Sequence, residues 1–412
     1  MSEHILLINH DFPPNQGIGG RRWAKLAKGL AKLGYKIHVV NATPIENNKT
    51  SPWSADVNHE NIFINTIPRT YPTVISHTGN SLWDKLHYRF AIWRLKQTVK
   101  GTIYDLSAEW GRYLIPACER ICSEFPISRI IATGAPWHML YELGEWNSAN
   151  RKLPYIIDFR DPWLNAKNYG MSQLNPKRKA FEVFKQKKTL ENATIVLSPY
   201  PEILHDLKEF ARNNNSSIGQ LETLRHFYDE DDFTNIVETT SPNRSENMFT
   251  IVYGGDLYQD IHSELLEIVA FFNGTNTLLT PVELQIYTDA TVPEFMRGIE
   301  GIRIFPTAGK SFYSIAKAAD ALLILLPKHK SHEFTTKFYD YMPLGKPYII
   351  ASQGGIVADF IVGNQMGYLW KSGLHYPWYE NLLADSFNFQ PSYDISAHSL
   401  TAAAKQLTSL FK

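Results

Sequence analysis

The chain has 412 residues, enough for two domains of ordinary size. Lysine plus arginine equals aspartate plus glutamate at 41 each, so nothing in the charge favours a nucleic-acid partner. No run approaches the roughly 20 apolar residues of a membrane span. The two cysteines, Cys118 and Cys122, are too few for a disulfide framework and read as buried thiols of a reducing cytosol.

In chain order, residues 5–8 form a short apolar run that reads as a strand. No basic region or signal-peptide cleavage site precedes it, so the expected location is cytoplasmic. Trp23, Leu26, Ala27, Leu30 and Leu33 recur at helical spacing, Gly34 ends that helix, and residues 36–40 return as a strand. The connection is Gly17-Ile18-Gly19-Gly20-Arg21-Arg22, with Arg22 where a dinucleotide fingerprint has its third glycine. It reads either as a tight turn or as a loop admitting a phosphate, with Arg21 and Arg22 as nearby charge.

Residues 82–100 interleave Leu82, Trp83, Leu86, Phe90, Trp93 and Val99 with Lys85, Arg89, Arg94, Lys96 and Lys100. Such a helix either lies in a membrane interface or snorkels its lysines over an ordinary core. Residues 129–133, 155–158 and 194–197 read as further strands. Ala132-Thr133-Gly134-Ala135-Pro136-Trp137-His138 and Asp158-Phe159-Arg160-Asp161-Pro162-Trp163 lie at the ends of two of them, where a doubly wound sheet presents its ligands. Arg160 is expected to pair with one flanking aspartate, leaving the other to face a ligand. Asp229-Glu230-Asp231-Asp232 reads as a solvated turn or helix cap rather than a metal site.

Polar residues 238–247 read as a linker. Strands resume at 249–253, 283–287, 303–305, 321–326 and 348–351, with helices between. The expectation is an α/β chain of two doubly wound, Rossmann-like domains, 1–237 and 248–395, facing a central cleft. Gly254 and Gly255 end the first strand of the second domain. A helix opening at Thr335 or Thr336 offers free N–H groups and Lys337 at one end, then Asp340 one turn on. That arrangement suits phosphates at the helix terminus and a sugar diol on the acid. Gly345 and Pro347 stop the helix.

Thr336-Lys337-Phe338-Tyr339-Asp340-Tyr341, followed by Gly345-Lys346-Pro347, resembles the nucleotide-sugar motif of GT-B glycosyltransferases, in particular family 4. The usual form there is Ser-Lys-x-x-Glu-Tyr before a Gly-Lys/Arg-Pro turn. The two first-domain loops resemble those of bacterial surface-polysaccharide members. The resemblance implies transfer of a hexosyl group from a nucleotide diphosphate sugar to a glycan or lipid-linked glycan. It also implies retention, no metal and no cofactor beyond the donor, and a C-terminal helix (396–412) packing back on the first domain. Donor contacts would be Gly19, Gly20, Arg21, Gly254, Gly255, Glu333, Thr335, Thr336, Lys337 and Asp340. Acceptor contacts would be Arg22, Trp137 and Arg160, and the catalytic groups His138, Asp158 and Asp161. Two departures stand out: His332, with Glu333 beside it, replaces a family glutamate, and the family's Arg and Lys after Gly255 are missing. A nucleotide-sugar 2-epimerase and a non-catalytic glycan- or partner-binding subunit remain open as alternatives. On the interfacial reading of 82–100, that helix would bring peripheral contact with the inner face of the plasma membrane; on the other it covers an ordinary core.

Overall fold

A computed structural model describes residues 3–15, 17–45, 51–76, 79, 81–166, 169–234, 236, 248–274, 280–387, 389–392 and 394–412. The chain divides into two compact units, Met1–Arg225 with Ala403–Lys412, and His226–Ala402. The expected linker, 238–247, lies outside the described residues, as does the boundary at 237.

The first unit runs β1 (His4–Ile8), α1 (Ile18–Lys32), β2 (Lys36–Ala42), β3 (Ile62–Ile67), α2 (Leu82–Thr98), α3 (Gly111–Glu124), β4 (Ile127–Gly134), α4 (His138–Asn150), β5 (Tyr155–Phe159), α5 (Pro176–Asn192), β6 (Ile195–Ser198), α6 (Pro201–Asn213) and β7 (Gln220–Thr223). Its strands pair in parallel in the order β3-β2-β1-β4-β5-β6-β7. The central strands are unbroken apolar runs because helices cover both faces, as Ile5 to Ile8 and Ile156–Ile157 show by their burial. The order reverses between β1 and β4, and at such a point the loops leaving the carboxyl ends of the strands part to form a crevice.

The second unit repeats the plan with β8 (Phe249–Gly254), α7 (His262–Gly274), β9 (Val282–Tyr287), β10 (Ile302–Phe305), α8 (Phe312–Ala318), β11 (Ala321–Leu325), α9 (Thr336–Tyr341), β12 (Tyr348–Ala351), α10 (Ile356–Gly363), β13 (Gly367–Leu369) and α11 (Pro377–Leu383). The order β10-β9-β8-β11-β12-β13 places its reversal between β8 and β11.

The division falls at 225/226 because Tyr228 belongs to the second core. Its N–H donates to the His398 carbonyl at 3.1 Å, and its carbonyl accepts from Leu400 N–H at 2.7 Å. The acidic turn that follows is capped by Asp229, whose Oδ1 accepts from Asp231 N–H at 3.1 Å. The last helix, α12 (Leu400–Ser409), starts in the second unit, but from Ala403 onward it belongs to the first. There the Arg129 guanidinium lies 4.1 Å from the Phe411 ring centre and donates to the Phe411 carbonyl at 3.0 Å.

Candidate functional site

In the second unit the switch point is built on the Gly254–Gly255 turn at the end of β8. Gly254 N–H donates to Tyr341 Oη at 3.3 Å, and Gly255 N–H donates to the Tyr287 carbonyl at 3.0 Å. Gly255 has φ +141°, and a β-carbon there would stand 2.6 Å from Lys337 Nζ. Only glycine lets the lysine stem lie this close to the backbone. A β-carbon on Gly254 would strike the Phe312 ring.

Lys337 comes from the first turn of α9. Phe338, Tyr339 and Tyr341 turn into the core, while Lys337 and Asp340, three residues apart, share the half-buried side. Lys337 Nζ lies 5.4 Å from the Tyr253 ring centre. Burial pushes the Lys337 pKa below the ordinary lysine value; Asp256 and Asp340 oppose that shift, and Lys330 adds to it. The result is a desolvated cation beside a glycine turn at a sheet's carboxyl edge. Thr335 is the helix N-cap, in extended backbone, and makes no side-chain capping bond. Thr336 and Glu333 are half-buried nearby, with Glu333 N–H donating to the Lys330 carbonyl at 2.8 Å. Lys330 also pairs with Asp260 at 3.2 Å. Gly345, at φ 63°, ends the segment as its sequence indicates.

In the first unit the loops after β4 and β5 leave from neighbouring strands, with Thr133 opposite Asp158 and Gly134 opposite Phe159. Arg160 N–H donates to the Gly134 carbonyl at 3.3 Å. Its guanidinium grips Asp161 Oδ2 through Nε at 2.9 Å and Nη2 at 2.7 Å. Arg160 Nη1 stands 2.7 Å from where a β-carbon on Gly19 would be, so Gly19, Arg160 and Asp161 converge. A β-carbon on Gly20 would run into the Asp11 carbonyl. Burial works to raise the Asp11 pKa, but His10, Arg69 and Arg160 together hold it below the usual carboxylate range. His10 Nδ1 lies 2.8 Å from Asp11 Oδ1. Arg21 is buried in the first turns of α1.

Three expected contacts require correction. Asp158 is fully buried; Arg22 Nε reaches its Oδ2 at 2.9 Å and Trp23 Nε1 donates to the same oxygen at 2.7 Å. Arg22, also buried, spends its other donors on the Leu224 and Arg225 carbonyls at 2.6 and 3.1 Å. This pair ties α1 to β5 and to the end of the β7 region, and neither group is open to an acceptor. Trp137 is fully buried too, stacked 6.0 Å from Trp163 and edge-on to Tyr169 at 4.8 Å.

His138 opens α4 and joins a chain of polar groups that the sequence did not disclose. Its Nδ1 lies 3.1 Å from Lys185 Nζ, and its Nε2 lies 3.0 Å from Glu142 Oε1. A lysine ammonium only donates, so Nδ1 accepts and the ring proton on Nε2 goes to Glu142. Lys185 and Glu182, both fully buried, pair at 2.8 Å; Trp163 Nε1 donates to Glu182 at 2.8 Å. Asp105 accepts from Trp137 and His138 N–H at 3.0 and 2.9 Å, capping α4. Burial works to raise the Asp105 pKa, but Lys185, His138 and the Ser107 hydrogen bonds outweigh it and hold it below the usual range. The signals of this network in the sequence are two helical spacings, Glu182 with Lys185 on one face of α5 and His138 with Glu142 on one face of α4.

No protein-family model matches the chain, and no curated protein sequence matches it. Solved structures do resemble it. Sucrose-phosphate synthase from Thermosynechococcus elongatus has 14 % identity and a TM-score of 0.63, over 100 % of this chain and 98 % of that one. A trehalose-6-phosphate protein from E. coli, bound with UDP-2-fluoro glucose, has 10 % identity and a TM-score of 0.62 over 99 % of each chain. The lipopolysaccharide outer core galactosyltransferase WaaB has 12 % identity and a TM-score of 0.54 over 98 % of each chain. At these identities the likeness is one of fold: two doubly wound α/β units of the GT-B glycosyltransferase type.

Proposed function

We propose that the chain is a glycosyltransferase using a nucleotide diphosphate sugar. The observation that carries this is Lys337, desolvated and pressed against Gly255 at the switch point of the second sheet. Cleaving the sugar–phosphate bond leaves charge on a departing diphosphate, and a preorganised cation in a partly desolvated site stabilises that charge. Lys337, which matches the lysine of the family motif, takes this role without the Arg and Lys that the family carries after its glycine turn. Asp340 accepts the ribose hydroxyls, one to each carboxylate oxygen. A donor of this class also agrees with the fold-mate bound to UDP-2-fluoro glucose.

The acceptor side is assigned to the first unit, around Gly19, His138, Arg160 and Asp161. Of the carboxylates there Asp161 is more exposed than Asp11 or Glu142, its side chain 43 % exposed while Arg160 holds one oxygen. His138 has both ring nitrogens engaged, by Lys185 and Glu142, so it positions the start of α4 beside this site rather than bonding a sugar hydroxyl itself. By family resemblance the reaction retains the anomeric configuration without a metal, and the leaving phosphate takes the acceptor proton. The transferred group is then a hexose and the acceptor a glycan or lipid-linked glycan of surface-polysaccharide assembly at the cytoplasmic face.

The test is calorimetric titration of UDP, GDP, CDP and dTDP into the wild type and Asp340→Ala. One nucleotide is expected to bind in the micromolar range and to weaken at least about tenfold in the variant. No binding by folded protein overturns the donor assignment. Release of free sugar or an epimerised sugar from the matching nucleotide sugar, with no acceptor present, turns the reading to an epimerase.

A further inference from the structure

Helix α2 is apolar on two opposite sides. Ala91 and Leu95 are buried and hold it on the first unit. Stepping about 100° per residue, Leu82, Trp93, Leu86, Phe90 and Trp83 fall in one stripe about 100° wide, facing away from that contact. These five side chains are 79, 57, 53, 62 and 73 % exposed. An uninterrupted patch of this kind marks an interaction surface, unlike scattered apolar residues.

The borders of the stripe say what covers it. Lys85, Arg89 and Lys96 follow one edge, and Arg94 stands at the other, paired with Glu109 at 3.2 Å. At the carboxyl end of α2 the basic edge runs into a groove of about 520 Å³ lined by Lys96, Lys100, Lys177, Arg178, Phe181 and Phe184. Arg178 is anchored there by bonds to the Val99 and Gly101 carbonyls, each at 2.6 Å. The helix start is secured by a capping box in which Ser81 Oγ accepts from Asp84 N–H at 3.0 Å, so the stripe sits on a formed helix. No helix among the described residues is long and apolar enough to cross a membrane.

We infer that α2 lies in the interfacial plane of an anionic lipid bilayer. Its aromatic and leucine stripe enters the acyl boundary while the flanking lysines and arginines meet lipid phosphates. Trp83 and Trp93 suit that depth, since indole is favoured at the membrane–water interface. Basic flanks discriminate in favour of an anionic surface and against a second copy of this basic face, which would repel it. This surface is separate from the donor site and does not rest on it.

The test is co-sedimentation of the whole chain with vesicles of phosphatidylcholine, alone or mixed with phosphatidylglycerol, without nucleotide. Binding to the mixed vesicles is expected, at least about tenfold weaker to phosphatidylcholine alone and at high salt. Trp83→Ser with Trp93→Ser, and separately Lys85→Glu with Arg89→Glu, should each weaken binding about tenfold while melting like the wild type, because these side chains are exposed. Failure of the folded wild type to bind mixed vesicles, or binding indifferent to both variants, overturns the inference. So does a dimer in solution that Trp93→Ser dissociates with no vesicle binding at all. Nucleotide titration of the same samples reads the donor site independently, so either reading can fail alone.

Discussion

Lys337 Nζ stands 2.6 Å from the position a β-carbon would take on Gly255, so the lysine occupies the space that glycine leaves empty. Burial, the dominant effect, holds its pKa below the ordinary value. An ammonium in that state is poorly solvated before ligand arrives and gains more from a diphosphate than a surface lysine would. Lys337→Met should weaken nucleoside diphosphate binding by about 1.5–3 kcal/mol, the range of a hydrogen bond to a charged group. The free protein should be at least as stable as wild type. Calorimetry and denaturant unfolding of both proteins check the two halves.

The same shift fixes a pH dependence. The folded lysine loses its proton at lower pH than the unfolded one. Its unfavourable contribution to stability is therefore fully present below the folded pKa and fades as pH rises toward the ordinary lysine value. Diphosphate affinity should decline as pH rises through the lowered pKa, below the pH at which an ordinary lysine titrates. Titrations across this range should show the decline in wild type and not in Lys337→Met.

Gly255→Ala should fail on two counts. The backbone at φ +141° is strained for any L side chain, and the new methyl displaces Lys337. A stability loss of about 1–3 kcal/mol is expected, together with weaker diphosphate binding. Gly363→Ala, with nothing within 4 Å of the added carbon, is the control and should be close to neutral. Thermal melts with and without nucleotide separate the two effects.

Asp158→Asn and Asp161→Asn should part company. The first leaves Arg22 buried without its counter-charge and should cost about 3–5 kcal/mol of stability. The second removes an exposed partner of Arg160 and should cost no more than about 1 kcal/mol, while lowering turnover through the acceptor. Urea unfolding of the two variants reads the difference. Equal destabilisation would contradict the assignment of Asp158 to the interior and Asp161 to the acceptor.

Acid should destabilise the first unit through His38. Its ring stacks on His4 at 5.1 Å and Phe63 at 5.0 Å and lies 4.2 Å from Phe125. Burial, then His4 and Lys36, lowers its pKa to about 4. The unfolded chain takes up the proton first, so stability falls as pH drops from about 6.5 toward that value, and the loss is complete below it. His38→Leu should flatten stability against pH over this interval, as followed by unfolding at fixed pH values.

Much of this molecule was written in local pattern. The central strands, the α1 period ending at Gly34, and the Gly345 stop are all present in the structure, where they were expected. Each depends on residues a few positions apart. Strands β3, β7 and β13 were not legible: β3 and β7 are edge strands with half-exposed, partly polar sequences, and β13 is three residues long. The aspartate paired with Arg160 could not be chosen from the sequence either. The structure gives it Asp161, because Asp158 is claimed by Arg22, 136 residues earlier in the chain.

The sequence by itself determined two doubly wound sheets and the helix that carries Lys337 and Asp340. Hydrophobic period, glycine stops and helix spacing act over a few residues and survive without knowledge of neighbours. Tertiary structure alone decided which charged groups are spent inside the protein and which remain available. Strand order brings Arg22 to Asp158 and Lys185 to His138, and it sets Lys337 against Gly255 across the β8–β11 switch point. It also decided which of the two apolar sides of α2 meets the core. Periodicity marks an apolar side, but only packing against a partner determines whether that side is buried.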